Sequence, residues 1–83
     1  MRVTVSFYAR LAELAGRREW ALEVPSGATA ADVWRASVET YEALAPMSGR
    51  VSCAINAEFA TFGSVVHDGD ELAFLPPVSG GGE

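Results

Sequence analysis

Residues 68–81 read Asp-Gly-Asp-Glu-Leu-Ala-Phe-Leu-Pro-Pro-Val-Ser-Gly-Gly, and they combine a turn signal, a strand signal and a glycine-containing segment. The opening of this stretch is typical of a tight turn, because aspartate bonds its own backbone and glycine adopts left-handed angles. Residues 71–75 then predict the last strand. Two prolines fix the backbone after it, and the serine and glycines of the final residues have no apolar side chain to bury. We therefore expect a folded domain over residues 1–75 and a flexible tail over residues 76–83.

Further strands are predicted upstream of this stretch. Residues 2–8 and 17–24 alternate apolar and polar side chains at period two, which is the spacing of a half-buried strand. Residues 51–56 predict a third strand, and residues 59–62 predict a short segment after a connecting turn. With the last strand, the sheet is expected to contain four or five strands.

Two helices are predicted between these strands. Residues 9–15 favour a short helix that ends at Gly16, since glycine suits the left-handed position after a helix. Thr29, followed three places later by an aspartate, forms a capping box that starts the main helix, and Pro46 is expected to stop it. An apolar stripe predicts that this helix, over residues 30–44, packs on the sheet.

The order of these elements indicates the fold class. Strand, short helix, strand, long helix and then further strands is the order of the β-grasp fold, an α+β, ubiquitin-like fold in which a mixed sheet clasps one main helix. The alternation of element types alone equally allows another α+β sandwich.

Composition excludes several classes of partner. The 83 residues carry six arginines, no lysine and eleven acidic side chains, for a formal charge of -5. Such a field repels phosphate backbones and anionic membranes, so we expect no nucleic acid and no membrane partner, whereas a basic protein surface is attracted. No apolar run approaches the ~20 residues of a membrane span. The first residues predict a strand and lack the apolar run of a signal peptide, so we expect a cytoplasmic protein.

Several side chains that could react or bind a metal are expected to have only structural roles. Cys53 is the only cysteine, so it forms no disulfide within the chain, and it is predicted to be a small buried side chain. His67 has no second histidine as partner and is predicted to lie on the surface. Asp68, Asp70 and Glu71 lack the remaining ligands of a calcium loop, so no metal site is expected.

A family resemblance rests on residues 68–81, on Asn56 and on residues 7–16, which read Phe-Tyr-Ala-Arg-Leu-Ala-Glu-Leu-Ala-Gly. Together they resemble the small subunit of molybdopterin synthase, the MoaD type of the ubiquitin-like MoaD/ThiS family. The likeness spans nearly the whole chain and is most specific in its final stretch. It implies a sulfur carrier of molybdenum cofactor biosynthesis, which is not an enzyme on its own but the small subunit of a heteromeric sulfurtransferase.

The resemblance also implies the chemistry of the tail. The carboxylate of Gly81, with Gly80 before it and Gly82 as the alternative terminus, is adenylated by a ubiquitin-activating-type enzyme that uses ATP. A desulfurase or rhodanese then delivers the sulfur that converts the adenylate to a thiocarboxylate. Glycines suit a narrow channel because they have no Cβ. No cofactor or metal is implied to stay on the chain itself.

A contact surface for partners is implied in the same way. The thiocarboxylate enters the larger catalytic subunit of the synthase and supplies sulfur for the dithiolene of molybdopterin. Phe59 and Leu75 occupy positions where the family presents an apolar patch to that subunit, and core packing is the alternative for both. The residues expected to contact partners are Phe59, Phe74, Leu75, Pro76, Pro77, Val78 and Arg10.

The chain departs from the family pattern at two places. The family tail ends at the second glycine, whereas Gly82 and Glu83 follow here and add ~7 Å of extended chain, so the sequence as it stands is not expected to be activated. Trimming by a protease, a paralogue that lost the activity and a tail that uses Gly82 after losing Glu83 are the three explanations, and we favour trimming. Ala12 stands where many members carry an arginine, so Arg10 is the candidate replacement for docking the activating enzyme.

Three other functions stay open on the sequence alone. The chain is also compatible with a ubiquitin-like modifier joined through its terminal glycine to lysines of other proteins. A sulfur carrier for thiamine, cysteine or tRNA thiolation is a second alternative. The third is an interaction module that has the fold without the chemistry.

Overall fold

The computed structural model describes residues 1–77. Within that range the elements follow in the predicted order, and the β-grasp prediction is confirmed. They are β1 (Arg2–Phe7), α1 (Arg10–Ala15), β2 (Glu19–Glu23), α2 (Ala30–Thr40), a 3₁₀ helix (Glu42–Met47), β3 (Ser52–Ile55), β4 (Glu58–Ala60) and β5 (Glu71–Leu75).

The strands form one mixed sheet in the order β2-β1-β5-β3-β4. β1 and β5 run parallel, whereas the other neighbouring pairs are antiparallel. The last strand of the chain therefore lies in the centre of the sheet and is hydrogen-bonded on both sides. This placement makes the end of β5 a fixed point from which the chain leaves the domain.

The core lies between the sheet and α2, with Phe74 at its centre. Alternation along β5 sends this ring toward the helix, where it is 0% exposed. Its centroid lies 5.1 Å from Trp34, 6.1 Å from Phe62 and 6.4 Å from Phe7. Such aromatic pairs add to the burial of apolar area, so Phe74 connects β1, α2 and the loop after β4.

The start of α2 carries the predicted capping box. The Asp32 backbone N–H donates to Thr29 Oγ1 at 3.3 Å, and the Thr29 backbone N–H donates to Asp32 Oδ2 at 2.9 Å. The carbonyls of Phe62 and Ser64 accept from the first two helical N–H groups at 2.9 Å, so the loop completes the cap. This contact draws residues 61 and 62 away from β4, which ends at Ala60 rather than at the predicted residue 62.

The predicted end of the main helix is wrong. α2 ends at Thr40 rather than at residue 44, and Pro46 lies inside the following 3₁₀ helix. Tyr41 leaves helical angles at φ -121° and ψ 84°. Its ring packs edge-on against Phe7 and Trp20, with centroid distances of 6.0 and 5.2 Å, and these contacts hold the chain out of the helical path.

The side chains with reactive groups lie where the sequence predicted. Cys53 is buried, its Sγ lies 3.4 Å from the carbonyl oxygen of Ala60, and burial raises the pKa of its thiol. His67 is exposed.

Across residues 1–77, no group of three or more His, Cys, Asp or Glu side chains is placed to hold a metal ion. The helices in that range are also too short or too polar for any of them to cross a membrane.

The turn between β3 and β4 contains an alanine in a conformation that favours glycine. Ala57 adopts φ 70°, after Asn56 at φ 52°. Asparagine tolerates such angles, whereas the Cβ of alanine makes them costly. Replacing Ala57 by glycine is therefore expected to raise the free energy of unfolding by about 0.5–1 kcal/mol, as measured by urea denaturation.

A matched glycine substitution provides the control for this turn. Ala36 lies in the middle of α2, where a glycine lowers stability by about 1 kcal/mol through lost helix propensity. We expect Ala57→Gly and Ala36→Gly to shift the urea midpoint in opposite directions. A loss of stability in both would contradict the assignment of strain to Ala57.

Candidate functional site

The candidate site is built around the point where the chain leaves the sheet. Leu75, the last residue of β5, pairs with Ser52 of β3. On the other side, the Tyr8 backbone N–H donates to the Phe74 carbonyl at 3.3 Å, which continues the pairing beyond the end of β1. The chain therefore starts outward from a position held on both sides. We call residues 75–77 the tail root.

An apolar surface lies on the face of the sheet that points away from α2. Ala73 pairs with Ala54 and Ala54 pairs with Phe59, so these three side chains share that face, and alternation along β5 adds Leu75. Phe59 is 80% exposed. Ala54 is buried, and Ala73 and Leu75 are half-buried. We call these four residues the outer patch; it extends from the β4 edge to the tail root.

The structure groups several predicted contact residues and corrects one. Phe59 and Leu75 lie on the outer patch, and Pro76 and Pro77 continue directly from it. Phe74 was predicted to contact partners, but its side chain is fully buried and points to the opposite face. The correction follows from alternation, because neighbouring residues of a strand point to opposite faces.

The predicted reactive end of the chain lies outside the described residues. This applies to Val78, Gly80, Gly81 and Gly82 and to residues 78–83 of the flexible tail that was expected over residues 76–83. Their roles stay predictions that follow from the sequence. What the structure provides is the point in the sheet from which that segment starts.

Arg10 lies near the tail root, at the start of α1. Its side chain is exposed, and Nη1 lies 3.1 Å from Glu13 Oε1. Ala12 is half-buried and packs against the core. Because two positions along a helix are rotated by about 200°, Arg10 and Ala12 point in different directions. A partner that contacts family members through an arginine at position 12 would therefore meet Arg10 from a different side.

The sequence did not single out three residues of this surface. Ala54 and Ala73 join Phe59 to Leu75, and Tyr8, which is 51% exposed, stands beside the tail root. The alternation in residues 2–8 does place Tyr8 on the outward face. The two alanines can be assigned to this surface only when the strand register is known, and the pattern of a single strand does not give the register.

A polar network fixes the start of β5 at the opposite end of the strand. Asn56 Nδ2 donates to Asp70 Oδ1 at 2.9 Å, and Asn56 Oδ1 accepts from the Glu71 backbone N–H at 3.0 Å. Asp70 Oδ2 accepts from the His67 backbone N–H at 2.8 Å. The His67 N–H first, and then the Asn56 amide, hold the pKa of Asp70 below its usual 3.8. Asn56, one of the residues behind the family resemblance, thus secures the strand that carries the tail root.

This network predicts a loss of stability in acid. Because the pKa of Asp70 is lower in the folded chain than in the unfolded one, its contribution is complete above pH 3.8 and is lost as the pH falls through the folded value. Asp70→Asn is expected to lower the free energy of unfolding at pH 7 by about 0.5–1 kcal/mol, because solvent screens this carboxylate, and to weaken the dependence of that free energy on pH below about 4. Urea denaturation across this pH range measures both. An unchanged acid slope in the variant would contradict the assignment to Asp70.

The outer patch and the tail root contain no titratable side chain. Alanine, phenylalanine, leucine and proline supply apolar contact and a fixed backbone direction, and none of them moves a proton. The site is therefore suited to present the tail to another protein.

Comparison with known proteins agrees with this geometry. A model of the ThiS family matches residues 5–81. The chain belongs to the ThiS family. The match includes the tail root and the diglycine after it, so the family assignment covers the site as well as the sheet.

Relatives of this ThiS-family chain cover almost its full length. The molybdopterin synthase sulfur carrier subunit of Arabidopsis thaliana is 35% identical over 81 residues, which cover 98% of this chain and 84% of the relative. The human protein of the same name is 31% identical over 83 residues and covers 96% of this chain and 94% of the relative. The crystal structure of SAMP1, small archaeal modifier protein 1, from Haloferax volcanii superposes with a TM-score of 0.86 at 33% identity, covering 96% of this chain and 99% of that one.

Proposed function

We propose that this chain is the sulfur carrier subunit of a molybdopterin synthase. After removal of Gly82 and Glu83, the carboxylate of Gly81 is adenylated, converted to a thiocarboxylate and delivered to a larger catalytic subunit. The observation that carries the proposal is the outer patch directly beside the tail root, because a partner that covers the patch receives the tail at a fixed position. The names of the Arabidopsis and human relatives support the same function.

This chemistry requires the C-terminal carboxylate of the carrier and two partner enzymes. It does not require a reactive side chain on the carrier. A carboxylate oxygen of Gly81 attacks the α-phosphorus of ATP held by an adenylating enzyme, and pyrophosphate leaves. A persulfide sulfur carried by a desulfurase or rhodanese then attacks the acyl carbon, and AMP leaves. A thiol attacks the sulfur of that enzyme in the resulting acyl disulfide, so that a new disulfide forms and the thiocarboxylate is released. ATP therefore acts as a substrate of the partner and not as a cofactor of this chain. Because this activation needs ATP, we place the carrier in the cytoplasm.

The surroundings of the outer patch favour one kind of partner surface. Phe59 is an exposed aromatic side chain, and such residues dominate the energy of protein interfaces when a partner pocket covers them. Glu71 lies on the same face next to Ala73, and Glu19 lies on that face beyond Ser6, which separates it from the patch. We propose that the larger subunit presents an apolar pocket for Phe59 and a basic rim toward these carboxylates.

The proposal is tested by the mass of the chain. Residues 1–81 are incubated with a ubiquitin-activating-type adenylating enzyme, ATP and a sulfur source. The expected product is heavier by the difference between one sulfur and one oxygen, located at Gly81 by fragmentation.

The matched control for this test is the chain of residues 1–83. Gly82 and Glu83 place its carboxylate ~7 Å beyond the reacting position, so it is expected to stay unmodified. A chain of residues 1–81 that forms neither adenylate nor thiocarboxylate would contradict the proposal.

A second candidate function is favoured by the likeness to the small archaeal modifier protein. In that case the activated glycine is joined to lysines of other proteins. Isopeptide-linked adducts in extracts of the native host, absent when Gly80 and Gly81 are replaced, would support the modifier. Thiocarboxylate without adducts supports the carrier.

A further inference from the structure

The basic residues of this chain share one chemical property that bears on an activated tail. All six are arginine, and the sequence contains no lysine. An acyl-adenylate or thioester reacts with unprotonated primary amines. The guanidinium group stays protonated at pH values where a lysine amine is partly free, so arginine supplies positive charge without a nucleophile.

The topology concentrates these arginines around the tail root. The Arg18 carbonyl accepts from the Phe7 backbone N–H at 2.8 Å, at the end of β1 that adjoins the tail root. Arg50 stands two residues before Ser52, which pairs with Leu75. Four of the six arginines lie at this end of the sheet: Arg10, Arg17, Arg18 and Arg50.

An amine at these positions would be within reach of the tail. Residues 76–81 span up to ~20 Å when extended. Two groups joined by a short linker can meet at an effective concentration on the order of millimolar. A lysine there would compete with the sulfur nucleophile for the activated glycine.

Apart from lysine side chains, the primary amine that a protein chain carries is its N-terminal amine, and here this amine lies at the far end of the sheet. In a chain that begins at Met1, the Met1 nitrogen donates to the Val24 carbonyl at 2.8 Å and lies 3.9 Å from Glu23 Oε1. Because β1 and β5 are parallel, the start of β1 is opposite to the tail root. This amine is therefore both hydrogen-bonded and distant.

We propose that arginine at positions 10, 17, 18 and 50 protects the activated glycine from capture by its own chain. The inference rests on the proposed activation of that glycine. In the avoided reaction, the bond from the acyl carbon to its leaving group breaks and a C–N bond forms. AMP or a thiol leaves, and the amine loses one proton. These arginines keep positive charge around the tail root without adding an amine that would compete with the sulfur nucleophile for the acyl group.

The test uses chains of residues 1–81 that carry a C-terminal thioester of 2-mercaptoethanesulfonate, held at mildly alkaline pH. Arg50→Lys and Arg18→Lys are compared with the original chain and with Arg2→Lys at the far end of the sheet. Both tail-root variants are expected to yield a product lighter by one water than the free acid, with an isopeptide bond at the new lysine. Its formation is expected to be about tenfold or more faster than in Arg2→Lys. The original chain is expected only to hydrolyse.

Several outcomes would overturn the proposal. They are the absence of cyclised product in both tail-root variants, equal rates in Arg2→Lys, and equally fast cyclisation of the original chain at Met1. Each substitution keeps the charge and an exposed side chain, and circular dichroism checks that the fold is retained. The thioester requires neither adenylating enzyme nor sulfur source. A failure here is therefore distinct from a failure of the proposed function, which would appear as a missing oxygen-to-sulfur exchange.

Discussion

Replacing Phe74 by alanine is expected to remove most of the free energy that keeps this protein folded. The ring is fully buried and lies within 6.4 Å of three other aromatic rings. Truncating a buried phenylalanine costs about 3–5 kcal/mol, since both apolar burial and packing are lost. A domain of this size has a net stability near the low end of about 5–15 kcal/mol. Urea denaturation followed by tryptophan fluorescence measures the loss.

Phe59→Ala provides the matched control for that experiment. The same side chain is removed, but from an exposed position on the outer face. We expect its free energy of unfolding to stay within about 0.5 kcal/mol of the original. A loss below about 1 kcal/mol for Phe74→Ala, or equal losses for the two variants, would contradict the assignment of Phe74 to the core and Phe59 to the surface.

The same Phe59→Ala variant is expected to bind the larger synthase subunit much more weakly. An exposed aromatic side chain that fills a partner pocket contributes about 2 kcal/mol or more, so Kd is expected to rise roughly 30-fold. Isothermal titration calorimetry with the purified larger subunit measures this change.

Thr40→Ala, at the exposed end of α2, is the control for the binding experiment. It removes side-chain atoms from the helix side of the molecule, away from the outer patch. We expect its Kd to stay close to that of the original chain. If Phe59→Ala bound as tightly as Thr40→Ala, the outer patch would not be the contact surface.

The sequence was sufficient to predict the fold because its local signals agree with each other. Alternation gave the strands, the Thr29–Asp32 capping box gave the start of α2, and Gly16 ends α1 in the left-handed conformation. The end of α2 was missed because it depends on contacts of Tyr41 with residues distant in sequence. Propensity within the helix contains no information about those contacts.

For the candidate site, the sequence predicts the chemistry of the tail but not the geometry beside it. Pro76, Pro77 and the glycines after them indicate a reactive tail, which stays a prediction. The side chains beside it could not be sorted in the same way, because Phe59 and Phe74 are both phenylalanines in strands. Phe74 is buried and Phe59 is exposed because the two side chains lie on opposite faces of the assembled sheet.

Single-turnover sulfur transfer tests whether this chain donates sulfur to the pterin precursor. Residues 1–81 with a thiocarboxylate at Gly81 are mixed with the larger subunit of molybdopterin synthase and the pterin precursor. We predict that the carrier returns to the mass of the carboxylate as the dithiolene forms, with two carriers consumed for each pterin because each brings one sulfur atom. A thiocarboxylate that persists while the precursor stays unconverted would contradict the assignment of this chain as the sulfur donor.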